Sequence, residues 1–366
     1  MISKKQILDA LRLVNDPDLK KDLVSLGMVS DVEVAGNNIR FRITLTTPAC
    51  PLKEKIKQDC LNAVRAIAPS AEVEVIMDAQ VSSMRNSQAH ILPNVKNIIC
   101  VASGKGGVGK STVSVNLALA LAQQGAKVGL IDADIHGPSI PIMLGVKGKR
   151  PEVRLIKDKH YIVPLEVHGV KLLSIGLLVD DRQAIVWRGP MVTSALRQFV
   201  TDCMWGKLDY MIVDMPPGTG DVHLTMAQTV NVSGAVIVTT PQEVALADAR
   251  KALSMFRLES INVPVLGVIE NMAYFTPEEL PNNKYYIFGR DGGKKLAQEY
   301  EAPFLGEIPL VQSIRQGGDE GLPAILNENT SDLIKNSFYQ IAASLAQQIA
   351  IKAMEKSSAP TVADIS

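Results

Sequence analysis

The segment that most constrains this chain is Gly104 to Ser111, G-K-G-G-V-G-K-S, which fits the spacing G-x-x-x-x-G-K-[ST]. It lies between an apolar run, N-I-I-C-V-A-S, and a helical pattern, S-T-V-S-V-N-L-A-L-A-L-A-Q-Q. Successive backbone N–H groups of such a glycine-rich turn form a nest for an anion, and the following helix adds the positive end of its dipole. In this pattern Lys110 reaches the β- and γ-phosphates of a nucleotide, and Ser111 holds Mg²⁺. Gly104, Lys105, Gly106, Gly107, Val108, Gly109 and Thr112 complete the expected cradle for ATP. Lys105 is a second lysine in the loop, and the simple spacing does not account for it.

A phosphate loop of this kind needs a strand, a tight turn and a helix N-terminus in line. From Asn97 onward the chain offers that arrangement: apolar strands (K-V-G-L-I-D-A-D, Y-M-I-V-D-M, G-A-V-I-V-T-T, V-P-V-L-G-V-I-E-N) alternate with longer helical segments. Such runs read as buried parallel strands covered by helices on both faces. Residues 1–80 differ and read as a small α+β unit. Ile7, Leu11 and Val14 have helical spacing, and V-S-D-V-E-V-A and I-R-F-R-I-T-L-T alternate around G-N-N as a hairpin. Pro51 suits the first position of a helix, and E-V-E-V-I-M gives a third strand. The expected organisation is a small domain over 1–80, a linker over 81–94, an α/β P-loop NTPase domain over 95–355 and a flexible tail over 356–366.

Charge and cysteine content exclude several functions. Lys+Arg and Asp+Glu balance at 38 each, so no global field recruits nucleic acid or an anionic membrane. The four cysteines, Cys50, Cys60, Cys100 and Cys203, form no C-x-x-C pair and suit a reducing cytoplasm better than a disulfide framework. The N-terminus lacks a signal peptide's apolar run, and no stretch of membrane-spanning length follows. We therefore expect a cytoplasmic protein without nucleic-acid or stable membrane association.

Two acidic segments belong with the phosphate loop. I-D-A-D-I-H-G-P ends one strand at Asp132 and Asp134, and I-V-D-M-P-P-G-T-G-D ends another at Asp214, with Asp221 beyond. Ligands of parallel sheets gather at the carboxyl ends of the strands, so these carboxylates should converge on the loop. Asp214 suits a metal-side role, holding Mg²⁺ through water, and Asp134 suits orientation of the attacking water. Gly218 is placed to sense the γ-phosphate through its N–H.

The string K-G-G-V-G-K-S-T resembles the deviant phosphate loop of the family that includes the septum-site regulator MinD, the partition ATPases and the nitrogenase iron protein. That resemblance implies that Lys105 reaches a partner protomer's phosphates across a homodimer, and that Asn271 contacts adenine. More narrowly, D-A-D-I-H-G-P-S-I-P, W-R-G-P-M-V-T-S-A-L-R-Q-F, D-M-P-P-G-T-G-D, T-T-P-Q-E-V-A-L-A-D and I-R-Q-G-G-D-E-G-L-P resemble the Mrp (ApbC-type) iron–sulfur cluster carrier ATPases. The N-terminal D-P-D-L, L-G-M-V and T-T-P-A-C-P-L-K resemble the small metal–sulfur cluster assembly domain often fused to them. The implied function is ATP-dependent transfer of an iron–sulfur cluster, [4Fe–4S] in type, from scaffold to recipient apoproteins. The implied hydrolysis is slow and switch-like.

One departure matters. Many members carry C-x-x-C after the E-N-M segment, but Glu270 to Gly289 here contains neither cysteine nor histidine. Soft iron–sulfur ligation calls for thiolates. Cys50 then becomes the candidate ligand: ahead of Pro51 at the expected N-cap, its thiol would be acidified by the helix end. The alternatives left open are a MinD-like positioning or adaptor ATPase without a cluster, and a reductase resembling the nitrogenase iron protein.

Overall fold

The computed structural model describes residues 2–85, 91–135, 137–178, 189–277, 279–280 and 283–358, without the side chains of 189, 190, 221, 357 and 358. Trp187 and Arg188 of the W-R-G-P string, the Asp221 side chain, part of the 81–94 linker, part of the insert after Asn271 and the tail from 359 lie outside the described residues. The chain divides into two compact units, Met1–Ser83 with Ala346–Ser366, and Met84–Leu345.

The first unit opens with α1 (Lys4–Leu11), fixed at its start by a reciprocal capping box. Ser3 Oγ accepts from the Gln6 N–H, and the Gln6 side chain accepts from the Ser3 N–H at 2.9 Å. Strands β1 (Val29–Ala35) and β2 (Asn38–Leu45) pair antiparallel around Gly36–Asn37, as the alternation predicted. Helix α2 (Lys53–Ile67) then crosses over, and β3 (Glu72–Ala79) returns parallel to β2 in continuous register. Ile39, Phe41, Ile43 and Leu45 of β2 meet Ile56, Cys60 and Val64 of α2 in a core of their own. The expected helix start at Pro51 is corrected here. Lys53 N–H bonds the Cys50 carbonyl in a turn, and Leu52, not Cys50, occupies the cap position.

The second unit is built on an eight-stranded sheet. Its strands are β4 (Val95–Ala102), β5 (Val128–Asp132), β8 (Leu165–Val167), β9 (Val170–Ser174), β10 (Leu208–Asp214), β11 (Gly234–Thr239), β12 (Val265–Phe275) and β13 (Phe304–Leu310). A separate hairpin, β6 (Glu152–Ile156) and β7 (Lys159–Val163), lies outside the large sheet. The order is β8-β9-β5-β10-β4-β11-β12-β13, with only the β8–β9 pair antiparallel. The chain leaves β4 towards β5 on one side and comes back later as β11 on the other, so the strand order reverses at β4. That reversal is where an open parallel sheet leaves a crevice for ligand.

Helices cover this sheet: α3 (Lys110–Gln123), α4 (Ile140–Met143), α5 (Gly189–Thr201), α6 (Asp221–Thr229), α7 (Glu243–Arg257), α8 (Gly292–Glu299) and α9 (Gln312–Glu320). The chain then enters α10 (Asp332–Ser358), whose residues from Ala346 belong to the first unit. Helix α3 is buried almost all round, from Val113 to Leu121, which its run of alanine and leucine permits. Helix α7 buries Ala245, Leu246, Ala249, Ala252, Leu253 and Phe256, a stripe at three- and four-residue spacing. No helix among the described residues is long and apolar enough to cross a membrane.

The segment expected as a linker is tied down where it is described. Arg85 is buried and its guanidinium donates to the carbonyls of Ile91 (2.6 Å), Leu92 (2.5 Å), Val95 (2.8 Å) and Asn231 (3.1 Å). One side chain thus closes the entry to β4. Replacing it strands buried carbonyls, so Arg85→Ala should lower the unfolding free energy of this unit by roughly 2–3 kcal/mol. Urea unfolding followed by tryptophan fluorescence measures this, since Trp205 is buried in the same unit. An unchanged midpoint would show that the clamp is dispensable.

Candidate functional site

The phosphate loop is shaped by close approaches that exclude side chains. A Cβ on Gly104 would lie 2.1 Å from the backbone carbon of Asp248, so α7 can close on the loop only over a glycine. Gly109 takes a left-handed conformation (φ 81°) immediately before α3, and a Cβ there would fall 2.2 Å from Asn271 Nδ2. The loop is also internally bonded. Ser103 Oγ donates to the Lys105 carbonyl at 2.9 Å, and the Gly218 N–H donates to the Ser103 carbonyl at 2.9 Å. The Lys105 side chain takes no hydrogen bond or ion pair among the described residues.

Behind the loop is a knot of charge. Lys110 Nζ lies 2.8 Å from Asp214 and 3.9 Å from Asp134. Asp214 is fully buried and also accepts from Ser111 Oγ and Ser114 Oγ, each at 2.6 Å. Asp132 stands beside it, because β5 and β10 pair in register at Asp132 and Asp214. Burial, and then the charge of Asp214, push the Asp132 carboxyl up to about 8, against the opposing pull of Ser174 Oγ and Lys110. The other Asp132 oxygen accepts from the Asp134 N–H at 3.2 Å, which turns the chain at the strand end.

Asn271 arrives from β12 through a backbone irregularity. The β12–β13 register shifts between Asn271 and Phe275, and Met272 sits at φ 54°, a left-handed value unusual for methionine. The bend turns the Asn271 amide to the loop, where Nδ2 donates to the Val108 carbonyl at 2.8 Å. The structure thus brings Lys110, Ser111, Asp132, Asp134, Asp214, Gly218 and Asn271 to one place around the loop. In it Asn271 braces the loop, a contact not foreseen from the sequence.

Sequence reasoning passed over three further residues. Ser114 follows Ser111 by three, one helical turn, so both hydroxyls reach the same carboxylate; the S-T-V-S spacing held that signal. Ser174 reaches Asp132 at 2.9 Å from β9, a partner that only sheet order supplies. His223 lies buried after the P-P-G-T-G turn, with Nδ1 3.3 Å from the Gly220 carbonyl and Nε2 unpartnered among the described residues. Burial first, with the Lys110 charge adding to it, lowers its pKa and keeps the ring neutral.

Comparison with known proteins agrees with both units. Residues 94–346 match the family described as NUBPL iron-transfer P-loop NTPase, and residues 4–75 match the family described as iron-sulfur cluster assembly protein. An iron-sulfur cluster carrier protein of Synechocystis sp. is 46% identical over 355 residues, spanning 97% of this chain and 100% of that one. One from Deinococcus radiodurans is 49% identical over 350 residues, spanning 96% and 97%. A solved nucleotide-binding protein from Archaeoglobus fulgidus, in complex with ADP, is 39% identical and superposes with a TM-score of 0.54 over 63% of this chain and 88% of that one.

Cys50 lies in the first unit, and its setting corrects the expected acidification. It is three residues ahead of Lys53, the first residue of α2, half-buried in the turn before it. Burial pushes its thiol up from the ordinary value, the nearby Asp18 and Asp16 carboxylates push the same way, and a hydrogen bond from the Leu52 N–H only partly opposes them. The other three cysteines are buried and their thiols are pushed to about 12. Carbamidomethylation should therefore mark Cys50 alone, slower at pH 7 than an unhindered thiol, and faster as pH rises and the thiolate forms. Asp18→Asn should accelerate it by removing a like charge. Mass spectrometry of timed quenches checks both, and fast, pH-independent labelling at neutrality would restore the helix-end account.

Proposed function

The chain belongs to the NUBPL iron-transfer P-loop NTPase family, and on that premise we propose that it binds and hydrolyses ATP in order to carry an iron–sulfur cluster to recipient apoproteins. The observation that supports this most directly is the buried contact of Lys110 with Asp214 at the start of α3, with Ser111 on the same carboxylate. The loop N–H groups from Gly104 to Thr112 would cradle the phosphates, and Lys110 would offset their charge as it builds on the γ-phosphoryl oxygens. Asp134, whose carboxylate is within 3.9 Å of Lys110 Nζ, would orient the attacking water. Water adds to the γ-phosphorus as the bond to the ADP oxygen breaks, giving ADP and phosphate.

The donor set fits Mg²⁺: a serine hydroxyl and a carboxylate are hard oxygen ligands, and they already meet at 2.6 Å. Ser111 directly and Asp214 through water would hold the ion, which would supply positive charge to offset that of the phosphates. Gly218 is the sensing group. Its N–H is engaged by the Ser103 carbonyl, and a γ-phosphate oxygen would compete for it. Hydrolysis would return the N–H to Ser103, so the loop from Pro216 to Gly220 reports which nucleotide is bound. Turnover is slow in this reading, because the acidic groups position water and no strong base adjoins Asp214 among the described residues. Asn271 would contact adenine while continuing to brace Val108.

Lys105 carries a charge with no partner among the described residues, which suits a contact to the phosphates of a second copy. Two copies would then enclose two nucleotides. The cluster, proposed as [4Fe–4S], is cargo. Among the described residues no three His, Cys, Asp or Glu side chains stand together as a metal site. A cluster would therefore need thiolates pooled from two copies, and Cys50, the least buried of the four cysteines, is the ligand we assign. Receipt from a scaffold and delivery to apoproteins would take place in the cytoplasm, without nucleic acid or stable membrane association.

Lys110→Ala should abolish detectable ATP hydrolysis. Lys105→Ala should keep ATP binding and lose nucleotide-dependent dimerisation, as read by light scattering with and without ATP. Wild-type hydrolysis and dimerisation by Lys105→Ala would remove its role across the dimer. Anaerobic reconstitution with iron and sulfide should give an oxygen-sensitive charge-transfer absorbance that Cys50→Ser reduces while ATPase activity persists. Full cluster occupancy and transfer by Cys50→Ser would move ligation to another cysteine. Failure of the wild type to load any cluster would leave an ATPase adaptor in place of a carrier.

A further inference from the structure

The hairpin β6–β7 is the most exposed regular element of the second unit, and neither nucleotide nor cluster chemistry uses it. Its turn residues Lys157 and Asp158 are both left-handed (φ 48° and 62°), the signature of a two-residue hairpin turn. Ile156 and Lys159 flank that turn as a hydrogen-bonded pair, and the ladder alternates from there. Alternation leaves the N–H and C=O of Val153 and Leu155 pointing away from β7. Strand β6 has β7 as its one sheet neighbour among the described residues, so those groups lie along an open edge. The side chains of the same two residues are uncovered as well, with Val153 58% and Leu155 63% exposed.

The other side of the hairpin is anchored. Ile162 N–H donates to the Asp202 carbonyl and Met204 N–H to the Ile162 carbonyl, each at 2.8 Å, and Lys159 Nζ pairs with Asp202 at 2.7 Å. The hairpin is therefore tied to the unit through β7, and β6 is left as its open edge.

Charge selects what can dock. Between residues 147 and 160 stand six lysines and arginines against two carboxylates, Glu152 and Asp158, in a chain whose charges balance as a whole. Lys149, Arg150 and Lys157 are exposed around the edge. An uncovered apolar edge invites pairing with its own kind, but two copies of this one would oppose cation to cation. An acidic strand meets no such repulsion.

We propose that β6 receives an extended acidic segment of a partner protein as an added strand. Main-chain hydrogen bonds form on Val153 and Leu155, apolar residues at alternate positions cover their side chains, and intervening carboxylates face the surrounding lysines and arginines. The proposal is independent of which cargo the protein carries.

The test uses the full chain and a fluorescein-labelled decapeptide of alternating glutamate and valine, followed by anisotropy. The peptide should bind, more weakly as salt rises, and an alternating lysine–valine peptide should not bind. Leu155→Pro deletes one outward N–H while leaving the bonds to β7 intact. It should weaken binding by about tenfold, the scale of one lost main-chain hydrogen bond. The double variant Lys149→Glu, Arg150→Glu leaves the strand untouched and should weaken binding similarly. Unchanged ATP hydrolysis confirms that both variants fold. Equal binding by wild type and Leu155→Pro, or by a peptide N-methylated at alternate residues, would overturn strand addition. Absence of peptide binding would overturn the proposal, and so would Leu155-dependent sedimentation with phosphatidylserine-containing vesicles in its place, which would make the edge a membrane contact.

Discussion

A single buried carboxylate organises the second unit. Asp214 ends the strand next to β4 with no access to solvent, and an isolated charge in that position would cost several kcal/mol. Two hydroxyls and an ammonium from the first turn and a half of α3 satisfy it. The strand end and the helix start are therefore locked together, and the glycine loop between β4 and α3 has only one place to lie. Lys110 and Ser111 are also the groups a nucleotide and its metal would use. Lys110, Ser111 and Ser114 all contact Asp214, so under the proposed function a nucleotide and its metal would exchange contacts with that carboxylate. The proposed switch-like hydrolysis rests on that property, two alternative partners for the same groups.

The surrounding pieces tie the loop to the rest of the sheet. Gly218 N–H rests on Ser103, Asn271 braces Val108, and Gly104 lies against the backbone of α7. Each contact joins the loop to a different strand or helix of the same sheet. Burial beside Asp214 raises the Asp132 carboxyl, which disfavours two charges in one buried place. Recognition of a partner is assigned elsewhere, to a hairpin whose exposed apolar edge and cationic rim have no part in phosphate chemistry.

Much of this was legible in advance. The loop spacing named Lys110 and Ser111, and the two acidic strand ends named Asp132, Asp134 and Asp214, because strands that end in carboxylates must present them at the same rim of a parallel sheet. The β1–β2 hairpin followed from alternation around glycine and asparagine. The start of α2 was misplaced because Pro51 suits a tight turn as well as a first helical position, and the Lys53–Cys50 hydrogen bond selects the turn. With that shift the acidified thiol disappears, and burial decides the state of Cys50. The β6–β7 hairpin went unread because its turn is Lys-Asp; both residues are left-handed, yet neither is the glycine that usually announces such a turn.

The sequence by itself determined which groups can hold phosphate, that buried parallel strands carry them, and that no C-x-x-C follows Asn271. Those facts are local: they depend on residue chemistry and spacing along a few consecutive positions. Tertiary structure alone decided the rest. Strand order set Asp132 against Asp214 and brought Ser174 to it, the bulge at Met272 turned Asn271 onto the loop, and Arg85 reached a carbonyl of Asn231 far along the chain. The protonation of Asp132 and of Cys50 likewise depends on what surrounds them, since desolvation is set by the atoms that pack around a group and not by its neighbours in sequence.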